Sequence, residues 1–371
     1  MALAMQSNNE HTENDYLFCP FCGLPVGGDT FDSDIIPRDD LLTHPYGPFC
    51  YDGSVITLEQ TSWTGDFQVI TRLPDIIPTQ YDFLPDFPIS VSPRAYWRLR
   101  NQVSFPLAMT GGSYTVFDDL SNHAPGHGIV FRVPAHSACL TILDRLLAWR
   151  RPYRNSSYPR VQGLPTDIQQ IYDAIQQAKD EESDLLVNIE WPNLYLNARH
   201  YWNEPWLCEL GKEWFAADPI NITDPTPTII SWLQPLPQPA QSAPTQHNAL
   251  APQTGNLSPI EALPATVHDG IRDSLDIQSA ESLRRCSSTM HNALKLTPRF
   301  WRTKLLRGEA VPWLWDLDIR QVEVFDVAHD WSGLIRELKR PDLYNDNRLP
   351  IGLRNRIRIF RIIEEIRLRR V

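Results

Sequence analysis

Between Leu263 and Trp301 the chain reads LPATVHDGIRDSLDIQSAESLRRCSSTMHNALKLTPRFW, with apolar residues at helical spacing in three short segments. Pro264, Asp276 and Pro298 punctuate the segments. A stretch of roughly 40 residues built this way is too small to bury a good core by itself. It is expected to be a docking unit whose exposed apolar face belongs to a partner; a small helical subdomain packed on the rest of the chain is the other reading.

Pro264 after Leu263 suits a helix start, because its missing N–H would have had no partner there. Val267, Ile271 and Leu275 then repeat at i, i+4 and i+8, one stripe of a helix of about three turns. Ser279 is the expected N-cap of a second helix, with Leu283, Cys286, Met290 and Leu294 on one face. Pro298 opens a third, carrying Phe300, Trp301, Leu305 and Leu306.

Upstream, residues 233–257 hold five prolines among Gln, Ala, Ser and Thr. That composition reads as an extended linker. It separates an N-terminal part from the helical segment. With 371 residues, 42% of them hydrophobic, the chain has material for two or three domains. A net charge of −11 argues against nucleic-acid binding through phosphates. No apolar run reaches the roughly 18–20 residues of a membrane span, and no signal peptide is visible. A cytoplasmic or nuclear protein is therefore expected, with its six cysteines as thiols or metal ligands.

The N-terminal part begins with YLFCPFCGLPVGG, a Cys-x-x-Cys-Gly turn at Cys19 and Cys22. Such a turn suits zinc: two thiolates reach one metal, backbone N–H groups bond the sulfurs, and Gly23 permits the tight geometry. A tetrahedral site needs two more ligands. The best pair is His136 and Cys139 in AHSACLTILDRLLAWRR, the cysteine entering a helix; His44 with Cys50 and His123 with His127 are the runners-up. Without metal, the same residues read as buried thiols and a hydrogen-bonded histidine. A redox pair would want a strand-to-helix junction at Cys19, and the GLPVGGDTFDSD that follows offers no helix.

Strands are expected over 55–63, 66–73, 112–120 and 128–134, from their β-branched and aromatic content. Helices are expected over 138–150, 165–181 and 205–216. Trp63, Trp97, Trp191, Trp202 and Trp206 read as core. At the C-terminal end, 311–326 alternates bulky residues, with Trp313, Trp315 and Leu317 on one side, as a short β segment would. The tail reads as an amphipathic helix with Leu353, Ile357, Phe360, Ile363 and Leu368 facing the core, its arginines solvated or paired with Glu364 and Glu365.

The order Leu-Pro, Ile, Leu, a break, Leu-Arg, Ser, Leu and Phe-Trp-Arg over about 258–303 resembles the F-box, in the form fungal F-box proteins use. Residues 189–220 and 352–366, the Cys-x-x-Cys-Gly turn and the Val-Pro-Ala-His…Cys segment are similar to blocks of the same family. The resemblance implies docking on a Skp-type adaptor and, through it, a cullin–RING ubiquitin ligase, as a substrate receptor for an unknown protein. It implies a docking face of Leu263, Pro264, Val267, Ile271, Leu275 and Leu283, with Leu294 and Trp301 nearer the internal core. Thr266 stands where the family usually has an acidic residue. An interaction protein that keeps the fold without joining a ligase is the other reading.

No dinucleotide, Walker, Gly-x-Ser-x-Gly or His-Glu-x-x-His pattern occurs, so no enzyme is expected. The expected fold class is α+β. Residues 1–15 are expected disordered, 16–232 form an α+β domain stapled by zinc at Cys19, Cys22, His136 and Cys139, and 233–257 the linker. The F-box-like unit is 258–306, and 307–371 a C-terminal extension with a short β segment and terminal helix, packing on the rest. Neither nucleic acid nor membrane is an expected partner.

Overall fold

The computed structural model describes residues 19–26, 35–45, 50–71, 89–92, 96–98, 102–106, 113–116, 132–150, 164–180, 210–236, 258–325 and 329–366. It is α+β, and the chain divides into two units. One comprises Met1–Ile222 with Ile351–Val371, the other Thr223–Pro350. The domain boundaries expected from sequence differ from this division at two places. Residues 223–232 fall in the second unit, and the terminal helix belongs to the first.

The first unit opens with β1 (Ile35–Ile36), α1 (Arg38–Leu41) and β2 (Tyr51–Asp52), β1 and β2 pairing in parallel. Residues 55–63, expected as a strand, instead form α2 (Leu58–Thr61) and a 3₁₀ turn (Ser62–Gly65). The reason is local: Thr57 and Gln60 make a reciprocal capping box that starts a helix. The following strand, β3 (Phe67–Thr71), is the centre of a three-stranded antiparallel sheet, between β4 (Ser90–Val91) and β8 (Arg132–His136). A second antiparallel sheet contains β5 (Tyr96–Arg98), β6 (Gln102–Pro106) and β7 (Ser113–Val116).

β8 runs directly into α3 (Ser137–Arg150), whose Ile142, Leu143 and Leu146 are buried, and α4 (Ile168–Asp180) follows. The expected helix at 205–216 appears over its described part only as a turn and a 3₁₀ segment (Glu213–Phe215). Trp63 is buried, as expected, and so is Trp214; Trp191, Trp202 and Trp206 lie outside the described residues.

The second unit has α5 (Thr226–Ser231), α6 (Ala265–Ser274), α7 (Ile277–Arg285), α8 (Ser288–Ala293), α9 (Pro298–Leu306), α10 (Ile319–Glu323) and α11 (Trp331–Leu338). Pro264 and Pro298 open α6 and α9, the first as N-cap and the second at the first helical turn. The middle segment differs from expectation: Asp276, not Ser279, caps α7, its carboxylate accepting from the Ser279 N–H at 2.9 Å. Ser287 caps α8, accepting from the Met290 N–H at 3.1 Å, and so splits the expected single helix in two. After that break Met290 and Leu294 are buried, whereas Cys286 is exposed.

Residues 311–318 form no strand, contrary to the β segment expected there. Trp313 and Leu314, adjacent in sequence, are both buried, which a strand with one buried face would not allow. Asp318 then caps α10 through the Arg320 N–H at 2.9 Å. Within the expected linker, Pro235 bridges to His329, and residues 237–257 lie outside the described residues.

The terminal helix α12 (Ile351–Glu365) is buried almost all round, including Asn355, Arg356 and Arg358. Against the expected solvated or Glu-paired arginines, Arg356 and Arg358 are buried, whereas Arg361 does meet Glu364 at 2.7 Å. Arg356 donates to the Pro219 carbonyl at 2.6 Å, and Arg150 of α3 to the Glu364 carbonyl at 3.0 Å. Backbone oxygens thus accept from guanidinium groups in the core of the first unit. Leu368 lies outside the described residues. Among the described residues, no helix is long and apolar enough to cross a membrane.

Candidate metal centre

The Cys19–Cys22 turn closes on itself through backbone geometry. The Gly23 N–H donates to the Cys19 carbonyl at 2.8 Å, and the Cys19 N–H to the Leu24 carbonyl at 2.9 Å. Gly23 sits at φ +79°, in the left-handed region where a side chain would be strained. The turn aims the Leu24 N–H at the Cys22 sulfur, 3.4 Å away. It leads into an isolated bridge at Pro25 rather than a helix.

The second pair comes from a strand end and a helix start. His136 is the last residue of β8, held in register opposite Phe67, and Cys139 lies in the first turn of α3. The Ser137 N–H donates to the Asp66 carbonyl at 2.9 Å, which fixes the junction. One ligand atom from each of Cys19, Cys22, His136 and Cys139 lies within 4.8 Å of all the others, and all four residues are buried. A tetrahedron with arms of about 2.3 Å has edges near 3.8 Å, so a contraction of at most about 1 Å completes it. The Cys22 sulfur is already 3.3 Å from His136 Nδ1. These four residues can hold a metal ion.

The imidazole is oriented for that task. Its Nε2 lies 3.0 Å from the Pro25 carbonyl, so the proton sits on Nε2 and Nδ1 is left as the donor atom facing the sulfurs. The Trp63 ring meets it edge-on at 4.8 Å, and the indole N–H donates to the Ala216 carbonyl at 2.8 Å.

Electrostatics inside the cluster are strongly interdependent. Burial would raise the Cys19 thiol, but hydrogen bonds from Cys139 and Cys22 and the charge of His136 hold it well below its ordinary value. Burial pushes Cys22 up, and Cys139 well up, where the hydrogen bond to Cys19 adds to the effect. Burial would lower His136, yet the negative charge on Cys22 and Cys19 raises it to about 10. The three sulfurs and the imidazole share one dry pocket and titrate as a set rather than singly. A metal ion entering it displaces their protons.

Of the runner-up ligands, His44 and Cys50 are not in the cluster, and His123 and His127 lie outside the described residues. One neighbour was missed in the sequence. The Arg358 guanidinium of α12 donates from Nη1 to the Cys22 carbonyl at 2.8 Å. The signal available was its run, IRIFRII, whose apolar residues leave no free helical face for solvated arginines.

The residues read as a docking face sit in the second unit. Leu263 and Val267 are 36% and 41% exposed, Pro264 is exposed, and Ile271, Leu275 and Leu283 are half-buried. The buried side of α6 is polar: His268 Nε2 lies 2.8 Å from the Ile260 carbonyl. Arg272, also buried, reaches Asp269 at 2.7 Å and the Lys295 carbonyl at 3.3 Å. Leu294 is fully buried, while Trp301 is half-buried against Phe300.

No family model matches the chain, and no curated protein or solved structure matches it.

Proposed function

We propose that this chain is a non-catalytic receptor: its first unit is stapled by zinc, and its second docks on a Skp-type adaptor of a cullin–RING ubiquitin ligase. The observation that carries the reading is the orientation of α6. An ordinary surface helix turns its apolar stripe inward. Here the inward positions are His268 and Arg272, bonded to carbonyls and carboxylates; Val267 on α6 and Leu263 just before it face out, and Ile271 and Leu275 are half-buried. The stripe has the residue types and order of the F-box docking face, which is what supports the adaptor as occupant. A receptor of this kind contributes proximity: it raises the effective concentration of target lysines near the conjugating enzyme.

Zinc is the metal that suits three thiolates and an imidazole with no open position. Its role is structural, tying the cysteine turn to β8 and α3 across more than a hundred residues.

The full chain should retain a Skp-type adaptor in a pull-down. Leu263→Ala with Val267→Ala should weaken that binding by about 2–3 kcal/mol, roughly 50-fold, from lost apolar burial alone. Both positions are exposed, so folding is spared. Equal retention of the adaptor by the double variant would reject docking through this face.

A further inference from the structure

Arg358 is fully buried, and its hydrogen-bond partners carry no formal charge. Nη1 donates to the Cys22 carbonyl at 2.8 Å, while Nε and Nη2 donate to Asn355 Oδ1 at 3.2 and 2.9 Å. Asn355 is itself pinned, its Nδ2 donating to the Ala217 carbonyl at 2.7 Å. The guanidinium carbon stands 4.6 Å from the Phe215 ring centre. Among the described residues no carboxylate pairs with Arg358, in contrast to Arg340, Arg348 and Arg361. A buried cation without a counter-charge is costly, and proteins rarely keep one.

The counter-charge is beside it. Three thiolates and a neutral imidazole around a dication leave one net negative charge. The Arg358 guanidinium holds the backbone of one of the four ligand residues, the Cys22 carbonyl at 2.8 Å, inside the same buried core. We infer that Arg358 is the charge-balancing residue of the metal centre, so that metal loading and the seating of α12 stabilise each other. The inference rests on the metal reading above. It adds a selectivity that the four ligands alone do not specify. With Arg358 the neutral assembly requires a dication; monovalent copper would leave a buried negative charge and trivalent iron a positive one.

The role is that of a positioning residue, and its test separates charge from packing. Cobalt loading of the full chain comes first, because thiolate-to-cobalt absorption reports the centre independently of Arg358. Zinc affinity is then measured by chelator competition for wild type, R358Q, R358K and, as a buried-arginine control, R356Q. R358Q, which keeps a hydrogen bond and loses the charge, should weaken zinc at least about tenfold, with R358K and R356Q within about threefold of wild type. Melting of the stripped proteins adds a sign: R358Q should cost the zinc-loaded protein stability and cost the stripped protein much less, because there Arg358 lacks its counter-charge.

Wild-type affinity in R358Q, or equal losses in R358Q and R358K, overturns the assignment while leaving the metal centre standing. Absence of the cobalt absorption in wild type removes centre and assignment together. If R358Q does not fold, hydrogen exchange on wild type decides: stripping the metal should deprotect α12 along with the cysteine turn, and an unchanged α12 overturns the coupling.

Discussion

Replacing Gly352 by alanine would normally strengthen a helix by about 1 kcal/mol. In this chain the sign should reverse. A Cβ at Gly352 would lie 2.4 Å from the Asp218 carbonyl oxygen and 2.4 Å from Ile222 Cγ2. Relief requires a shift near 1 Å, and the backbone it meets is pinned on several sides. The Asp218 N–H donates to the Gln60 carbonyl at 3.0 Å, and its carboxylate accepts from the Ile220 N–H at 2.7 Å. Asn355 and Arg356 hold the carbonyls of Ala217 and Pro219 on either side. Overpacking of this kind costs about 3 kcal/mol, so the net loss is about 2 kcal/mol after the helix gain. For a unit of this size that is about 4–8 °C of melting temperature. Gly270 in α6 supplies the control, because a Cβ there meets nothing within 4 Å. Gly270→Ala should stabilise the second unit by about 0.5–1 kcal/mol. Thermal melts of the two variants should move in opposite directions. A neutral or stabilising Gly352→Ala would refute the close approach of α12 to the 217–222 loop.

Further outcomes follow from three other sites. Chelation should strip about one zinc per chain and lower the melting of the first unit; at free zinc a hundredfold above Kd the loss is about 2.7 kcal/mol. Cys139→Ala should contain no zinc by metal analysis. Hydrogen bonding from Arg348 lowers the Asp346 carboxyl from 3.8 to about 2, so its contribution is fully present above pH 4 and vanishes as pH falls toward 2. Because Arg348 is largely exposed, wild type should lose only about 1 kcal/mol more than Asp346→Asn over that interval, read from urea midpoints. Asp330 accepts from the Gly333 N–H at 2.8 Å and the Ser332 hydroxyl at 2.7 Å at the start of α11. Asp330→Ala should cost about 1 kcal/mol, measured by denaturant unfolding.

The four metal-ligand candidates were legible because each half-site is local: two cysteines in a glycine-closed turn, and a histidine and cysteine where a strand meets a helix. Their convergence rests on the β3–β8 register, which no short window contains. The helices opened by Pro264 and Pro298 were equally plain. The break at Ser287 was hidden, because apolar spacing continues straight through it and only the cap reveals the change of axis. The strand expected over 311–326 failed because alternation of bulky residues occurs by chance in a coil whose neighbours are both buried. Arg358 escaped for a different reason. Its partners are a carbonyl 336 positions away and an asparagine one turn back, and neither leaves a trace in charge patterning.

The placement of α12 also dictates when the first unit can be finished. On a ribosome, its N-terminal 222 residues emerge long before the helix that fills their core. The 128 intervening residues of Thr223–Pro350 take about 6–26 s to synthesise at 5–20 residues per second. During that interval α3 lacks the helix that packs on it and whose Glu364 carbonyl accepts from its Arg150. A nonsense codon at Ile351 would leave the second unit whole and the first without α12.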